Sequence, residues 1–98
     1  FPGMSVYSLS KGAIATFTRG LARDLGTRGI TVNNIQPGPV DTDMNPATGD
    51  FADTLRGIMA LPRYGKTEEI AGLAAYLASE EAAYVTGASW NIDGGFGL

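Results

Sequence analysis

The stretch Tyr7-Ser8-Leu9-Ser10-Lys11 sets a phenol and an ammonium four residues apart at the head of an apolar helical pattern. On a helix, residues i and i+4 share a face with their Cβ atoms about 6 Å apart, so the two groups can work as a pair. The chemistry such a pair suggests is proton transfer. A phenol alone is a weak acid at neutral pH, but a neighbouring ammonium favours the phenolate. Two unit charges 4 Å apart interact by about 4 kcal/mol at an effective dielectric near 20, before the cost of desolvating them. That would make a phenol a usable general acid and base. The spacing by itself favours ordinary packing of two long side chains, so the pair acquires meaning only from its surroundings.

A second candidate is the run Pro37-Gly38-Pro39-Val40-Asp41-Thr42, which follows a β-branched segment. Ligands of open α/β sheets bind beyond the carboxyl ends of the strands, and a Pro-Gly exit ends a ladder while letting backbone approach a flat ring closely. Taken alone, the run is also a good rigid turn. Asp41 and Asp43 read as solvated turn carboxylates rather than metal ligands. With 0 His and 0 Cys the usual soft ligands are missing, and no metal is assigned.

Several elements must position these groups. Val6, Ser10, Ile14, Phe17, Leu21 and Leu25 recur at spacings of three or four, which predicts an amphipathic helix over residues 6–25. Gly12, Thr16, Arg19 and Arg23 form its small or polar side, and Gly26 with Gly29 ends it. Residues 30–36 are rich in β-branched side chains without alternation, as in a strand covered on both faces, and Pro37 is expected to stop it. Residues 51–61 are a short helical candidate inside a connection too long to be a plain loop. Ile70, Leu73, Ala74 and Leu77 predict another helix, with Thr67 as N-cap and Glu68 and Glu69 complementing its dipole. With Thr67 as cap, Ile70 falls at N3 and no capping box forms. Ser89-Trp90-Asn91-Ile92 is a strand ended by Asp93-Gly94-Gly95.

The order helix, strand, long connection with helix, strand implies a β-α-β crossover with two parallel strands side by side. Parallel strands need neighbours on each edge and cover on both faces, so residues 1–98 are expected to be the C-terminal part of a larger α/β domain. Hydrophobic residues make up 44% of the chain and charged ones 17%, which excludes a disordered chain. A net charge of −3 without a basic cluster argues against nucleic acid as a partner. No apolar run approaches the ~20 residues of a membrane span, and Phe1-Pro2-Gly3 lacks the charged start of a leader. Cysteine-free composition fits the cytoplasm.

"YSLSKGA", "GITVNNIQPGPVDTDM", "EEIAGLAAYLAS" and "YVTGASWNIDGG" follow one another as they do in the short-chain dehydrogenases/reductases, and the resemblance covers nearly the whole chain. It implies a Rossmann-type doubly wound parallel sheet and an enzyme that reduces a carbonyl or oxidises an alcohol with NAD or NADP. By the same resemblance Tyr7 is the proton donor, or the base in reverse, and also meets the cofactor, while Lys11 assists Tyr7 and bonds the nicotinamide ribose. Pro37 and Gly38, the backbone of Val40 and the hydroxyl of Thr42 would hold the nicotinamide end of the cofactor. The family's catalytic serine lies about a dozen residues before its tyrosine, so Ser5, Ser8 and Ser10 cannot take its place. Ser8 and Ser10 are expected to serve as small packing residues.

Residues 43–66 correspond to the family's substrate lid, where Phe51, Leu55, Ile58 and Met59 would either meet an apolar substrate or pack the lid down. Arg63 is expected to be structural, pairing with a carboxylate. The Asp93-Gly94-Gly95 ending and the Gly12/Thr16/Arg19/Arg23 face suggest a homodimer or homotetramer. "GLARD", "QPGPVDTD" and the "TG...IDG.FG" ending also resemble a bacterial branch that includes a cyclic-di-GMP-binding regulator. That leaves a non-catalytic nucleotide-binding role as the alternative.

Overall fold

The computed structural model describes residues 4–96, so Phe1-Pro2-Gly3 and the terminal Gly97 and Leu98 lie outside the described residues. Helix α1 (Ser5–Leu25) begins one residue earlier than its apolar pattern, with the Ser8 N–H on the Met4 carbonyl at 2.9 Å. It passes through Gly26 at φ −60° into a short 3-10 turn, and Gly29, left-handed at φ 73°, stops it. Strand β1 (Asn34–Pro37) pairs in parallel with β2 (Ser89–Ile92), in the register Asn34 to Ser89 through Pro37 to Ile92. Between them come α2 (Asp50–Arg56) and α3 (Thr67–Ala78). No helix among the described residues is long and apolar enough to cross a membrane.

The first strand differs from expectation at both ends. Residues 30–33 run in ahead of the paired register, held by the Gly87 N–H on the Val32 carbonyl at 2.7 Å and by side chains. The Val32 N–H donates to Thr86 Oγ1 (3.0 Å), Asn33 Nδ2 to the Val85 carbonyl (3.0 Å), and Trp90 Nε1 to Asn33 Oδ1 (3.2 Å). At the other end Pro37 is the last strand residue rather than its stop. The Asn34 N–H bonds the Ala88 carbonyl and the Gly38 N–H the Ile92 carbonyl, so alternate N–H groups face β2. Pro37 falls at a position whose nitrogen points to the other edge, where its missing N–H breaks no bond with β2.

The face that α1 turns inward carries only the C-terminal end of its predicted apolar stripe, the half-buried Leu21 and Leu25. Thr18 and Ala22 are buried, whereas Val6 is 75% exposed and Phe17 67%. The stripe at Val6, Leu9, Ile14 and Phe17 has no cover among the described residues. In keeping with that, the radius of gyration is 15.4 Å, larger than the roughly 12.6 Å that a compact chain of this length would have.

The connection between β1 and α3 has a small core of its own, Ala52, Leu55 and Tyr64, against which Ala47 and Phe96 pack. Arg56 ties it together: Nη1 donates to the Ala47 carbonyl at 2.6 Å and Nη2 to the Asp53 carboxylate. Asp41, read above as a solvated carboxylate, accepts the Ala47 N–H on Oδ1 at 3.0 Å and so fixes the start of the segment. The Tyr64 hydroxyl is buried in this core with no hydrogen-bond partner among the described residues. An orphaned buried polar group costs about 1–3 kcal/mol, so Tyr64→Phe is expected to leave stability unchanged or raise it by up to about 1 kcal/mol. A lower urea midpoint for the variant would show that the hydroxyl contributes.

Helix α3 starts as expected but is capped one residue earlier. Lys66 is the N-cap, which moves Glu69 to N3, and the Glu69 carboxylate accepts the Lys66 N–H at 2.9 Å. This is the carboxylate half of a capping box; the lysine side chain, having no acceptor, cannot supply the other half. Glu69 is also gripped by Arg63, with both guanidinium ends on both carboxylate oxygens at 2.8 Å. Those bonds first, and the Lys66 N–H second, hold the Glu69 carboxyl down to about 2 from its ordinary 4.5. A depressed carboxyl contributes stability above its unfolded value and loses it as pH falls through the folded one. Glu69→Gln should therefore lie below wild type in urea midpoint above pH 5, with the gap closing as pH falls from about 4.5 towards about 2. A gap that does not change with pH would contradict this role.

Candidate active site

The carboxyl ends of both strands and the first turns of α1 enclose an open cleft of about 840 Å³. Tyr7 and Lys11 stand on its α1 side, with Met4 and Ser8 beside them. Pro37 and Gly38 leave β1 across from them, and Asn91 and Asp93 come from β2 and its exit. Ile58 and Phe96 supply apolar wall. A smaller groove of about 180 Å³ continues from Tyr7 and Lys11 past Ile14 along β1.

Tyr7 and Lys11 point the same way, as their spacing requires. The Lys11 Nζ lies over the Tyr7 ring, 5.0 Å from its centroid, a cation–π arrangement that keeps the ammonium against the phenol. Tyr7 is half exposed into the cleft, at 49%. No carboxylate lies within ion-pair distance of Lys11 among the described residues. Its donors therefore remain available for a ligand.

The 37–42 turn is divided. Pro37 and Gly38 line the cleft; Val40 and Thr42 do not. Val40 forms a parallel bridge with Gly65, in which the Gly65 N–H reaches the Pro39 carbonyl (2.8 Å) and the Asp41 N–H reaches the Gly65 carbonyl (2.9 Å). This geometry turns the N–H and C=O of Val40 itself away from Gly65, and neither has a partner among the described residues. Thr42 Oγ1 accepts the Asn45 N–H at 3.1 Å, which leaves its O–H free to donate.

Gly38 has a reason to be glycine that lies in packing rather than in φ. A Cβ there would sit 2.7 Å from both Cα and Cβ of Asp93 and 2.9 Å from its carbonyl oxygen. The two strand exits are thus pressed together where the cleft floor forms. Asp93 was read above only as part of a chain-terminal signature, and Asn91 and Gln36 were not singled out, yet all three line the cleft. The signal that could have found them is register: once β1 and β2 are parallel neighbours, residues just after Pro37 and Ile92 must meet.

Ser8, expected to pack, is exposed and faces the cleft. Ser10 bonds the Val6 carbonyl at 3.0 Å from the exposed side of α1. Of the lid residues, Leu55 and Met59 are buried and pack the segment down, Ile58 lines the cleft, and Phe51 is exposed away from it.

Comparison with known proteins places this arrangement. A family model described as enoyl-(acyl carrier protein) reductase matches residues 1–97. A cyclic-di-GMP-binding biofilm dispersal mediator protein of Escherichia coli is 56% identical, over 97% of this chain and 40% of its own length. The 3-oxoacyl-[acyl-carrier-protein] reductase FabG of Pseudomonas aeruginosa is 45% identical, over 95% of this chain and 38% of its own. Among solved structures, a short-chain dehydrogenase/reductase from Serratia marcescens superposes with a TM-score of 0.94 at 62% identity, covering 100% of this chain and 40% of that one. BdcA in complex with NADPH superposes at 0.90 with 54% identity, covering 98% and 39%. The chain spans about 40% of the length of these relatives, and its α/β unit is the matching part of their Rossmann-type fold.

Proposed function

This chain belongs to the short-chain dehydrogenase/reductase family, and from that premise we propose that it forms the C-terminal part of an NAD(P)-dependent oxidoreductase acting on a ketone or a secondary alcohol. The observation that carries the reading is the cleft that Tyr7 and Lys11 share with the Pro37-Gly38 exit facing them. The residues present fit a dinucleotide. Lys11 offers unpaired donors to ribose hydroxyls, the free N–H and C=O of Val40 suit a carboxamide, and Thr42 can donate its O–H to the same group. Pro37 and Gly38 present flat backbone to a ring.

A bound NAD(P)H would supply the hydride, with its electron pair, to the carbonyl carbon. Tyr7 Oη gives its proton to the carbonyl oxygen, completing the CH–OH product, and takes that proton back when an alcohol is oxidised. Lys11, whose Nζ lies over the ring 5.0 Å from its centroid, holds the ribose hydroxyls beside the phenol. Mounted one turn apart on a 21-residue helix, the two groups keep their geometry without help from a loop. Ile58, Phe96 and Met4 favour a substrate with an apolar flank, and a 3-oxoacyl thioester is one candidate in view of the reductase relative. NADPH in the BdcA complex makes NADP(H) the cofactor to try first. Residues 43–66 act as the substrate lid, and the uncovered α1 face supports assembly with the rest of the domain and into a cytoplasmic homodimer or homotetramer.

The test is isotopic. Full-length protein given a panel of ketones and NADPH or NADH deuterated at the transferring position should place deuterium on the carbinol carbon. Its absence with both dinucleotides across the panel would overturn the reading. The 56% identity to a cyclic-di-GMP-binding protein favours a second reading, a regulator that binds nucleotide without turnover. Calorimetric binding of cyclic-di-GMP in the absence of deuterium transfer would select it.

A further inference from the structure

The exit of β2 forms a tight turn over residues 93–96 that touches three things at once. The Phe96 N–H closes the turn on the Asp93 carbonyl at 2.9 Å, and the two central residues, Gly94 at φ 59° and Gly95 at φ 81°, are both left-handed. The Asp93 carboxylate pins this shape by accepting the Gly95 N–H on Oδ1 at 2.9 Å. With the turn so held, the Gly94 carbonyl accepts the N–H of Leu61 at 2.7 Å. Gly94 also lies so close to the lid that a Cβ on it would be 3.0 Å from Met59 Cε and 3.2 Å from the Leu61 carbonyl. On its other side Asp93 abuts Gly38, and Phe96 packs on the lid's core.

We propose that Asp93 is a positioning residue: by fixing the 93–96 turn it latches the C-terminal root of the lid at Leu61 and thereby sets the apolar wall that Ile58 presents to the substrate. The root is the end suited to a latch. Leu61 bonds Gly94, Gly65 bridges to Val40, and Arg63 is paired with Glu69, three ties within five residues. The other end of α2 starts at Gly49, left-handed at φ 103° with open space around it, and the α2 N-terminus has no side-chain cap. Movement of the lid over a substrate then turns about Thr48 and Gly49, between the bonds that hold residues 41–47 and those that hold the root, while residues 58–61 stay on the cleft. The latch acts on the fit of the substrate, not on the proton transfer, because it touches neither Tyr7 nor Lys11.

This inference rests on the oxidoreductase reading for its kinetic arm only. Amide hydrogen exchange of the full-length protein tests the latch directly. The Leu61 N–H should exchange at least about tenfold more slowly than those of Thr48 and Gly49, which carry no hydrogen bond among the described residues, and equal rates would overturn the proposal. In Asp93→Ala that protection should fall, and in Asp93→Asn, which keeps an acceptor oxygen, it should largely return. If the alanine variant does not fold, the wild-type comparison and the asparagine variant still decide. Kinetically, Asp93→Ala should raise KM for the ketone about tenfold or more, with a smaller fall in kcat, since a displaced wall weakens positioning of the substrate. A variant that loses kcat with KM unchanged would contradict it. A protein that protects Leu61 but reduces no ketone would keep the latch and lose the reading. Ketone reduction with Leu61 unprotected would do the reverse.

Discussion

Tyr7→Phe in the full-length protein is expected to lower kcat for ketone reduction by about 10²- to 10⁴-fold, the range that a positioned general acid contributes. The substitution keeps the ring over which Lys11 Nζ lies at 5.0 Å and removes only the oxygen, so the cleft wall and the cation–π contact should survive. Dinucleotide affinity should accordingly change by no more than a few fold, because the groups proposed to hold it, at Lys11, Val40 and Thr42, are untouched. A loss confined to kcat assigns the hydroxyl to the transition state. Stopped-flow absorbance of reduced dinucleotide for the rate, with fluorescence titration for the affinity, separates the two. Wild-type turnover in the variant would remove Tyr7 from the mechanism.

Gly38→Ala is expected to be the most damaging substitution of a single methyl group. The new Cβ would lie 2.7 Å from the Cα of Asp93, and backbone cannot yield as the end of a flexible side chain can. The clash sits between the exits of two strands that are bonded to each other, with the Gly38 N–H on the Ile92 carbonyl at 3.1 Å. To relieve it the exits must part, which costs about 1–3 kcal/mol as other overpacked sites do. The same movement would shift the Pro37-Gly38 surface away from Tyr7 and displace Asp93 from the lid root. A lower urea midpoint together with at least tenfold weaker dinucleotide binding is the expected result, on the scale of about 1.4 kcal/mol per decade. Wild-type values on both measurements would show that the contact is not needed.

Patterns of sequence gave the elements because they are local. Apolar residues at i, i+3 and i+4 set α1 and α3, and Ser89–Ile92 between a turn and Asp93-Gly94-Gly95 set β2. Tyr7 and Lys11 were legible for the same reason, since four residues on a helix fix a shared face. What did not show was whatever depends on neighbours far along the chain. Val6 and Phe17 look like core by periodicity, but the side of α1 that meets the strands is the one carrying Thr18 and Ala22. The start of β1 was misplaced because residues 30–33 take their bonds from Thr86, the Gly87 N–H and the side chain of Asn33, all ahead of the paired register. Pro37 looked like a stop because its missing N–H matters only on one edge, and which edge is paired cannot be read from four residues. The N-cap of α3 fell on Lys66, a residue with no capping oxygen, because Glu69 reaches back to the backbone for it. Asp93 stayed hidden among glycines, since its meeting with Gly38 crosses the whole span between the two strands.

The most direct measurement of the central claim is a crystal structure of the full-length protein with oxidised dinucleotide and an unreactive alcohol or ketone analogue. The account predicts the nicotinamide against Pro37 and Gly38, Lys11 Nζ on the ribose hydroxyls, and Tyr7 Oη about 2.6–3.2 Å from the analogue's oxygen. A dinucleotide bound with its ring outside this cleft, or a Tyr7 hydroxyl out of hydrogen-bond reach of the analogue and turned from Lys11, would contradict it.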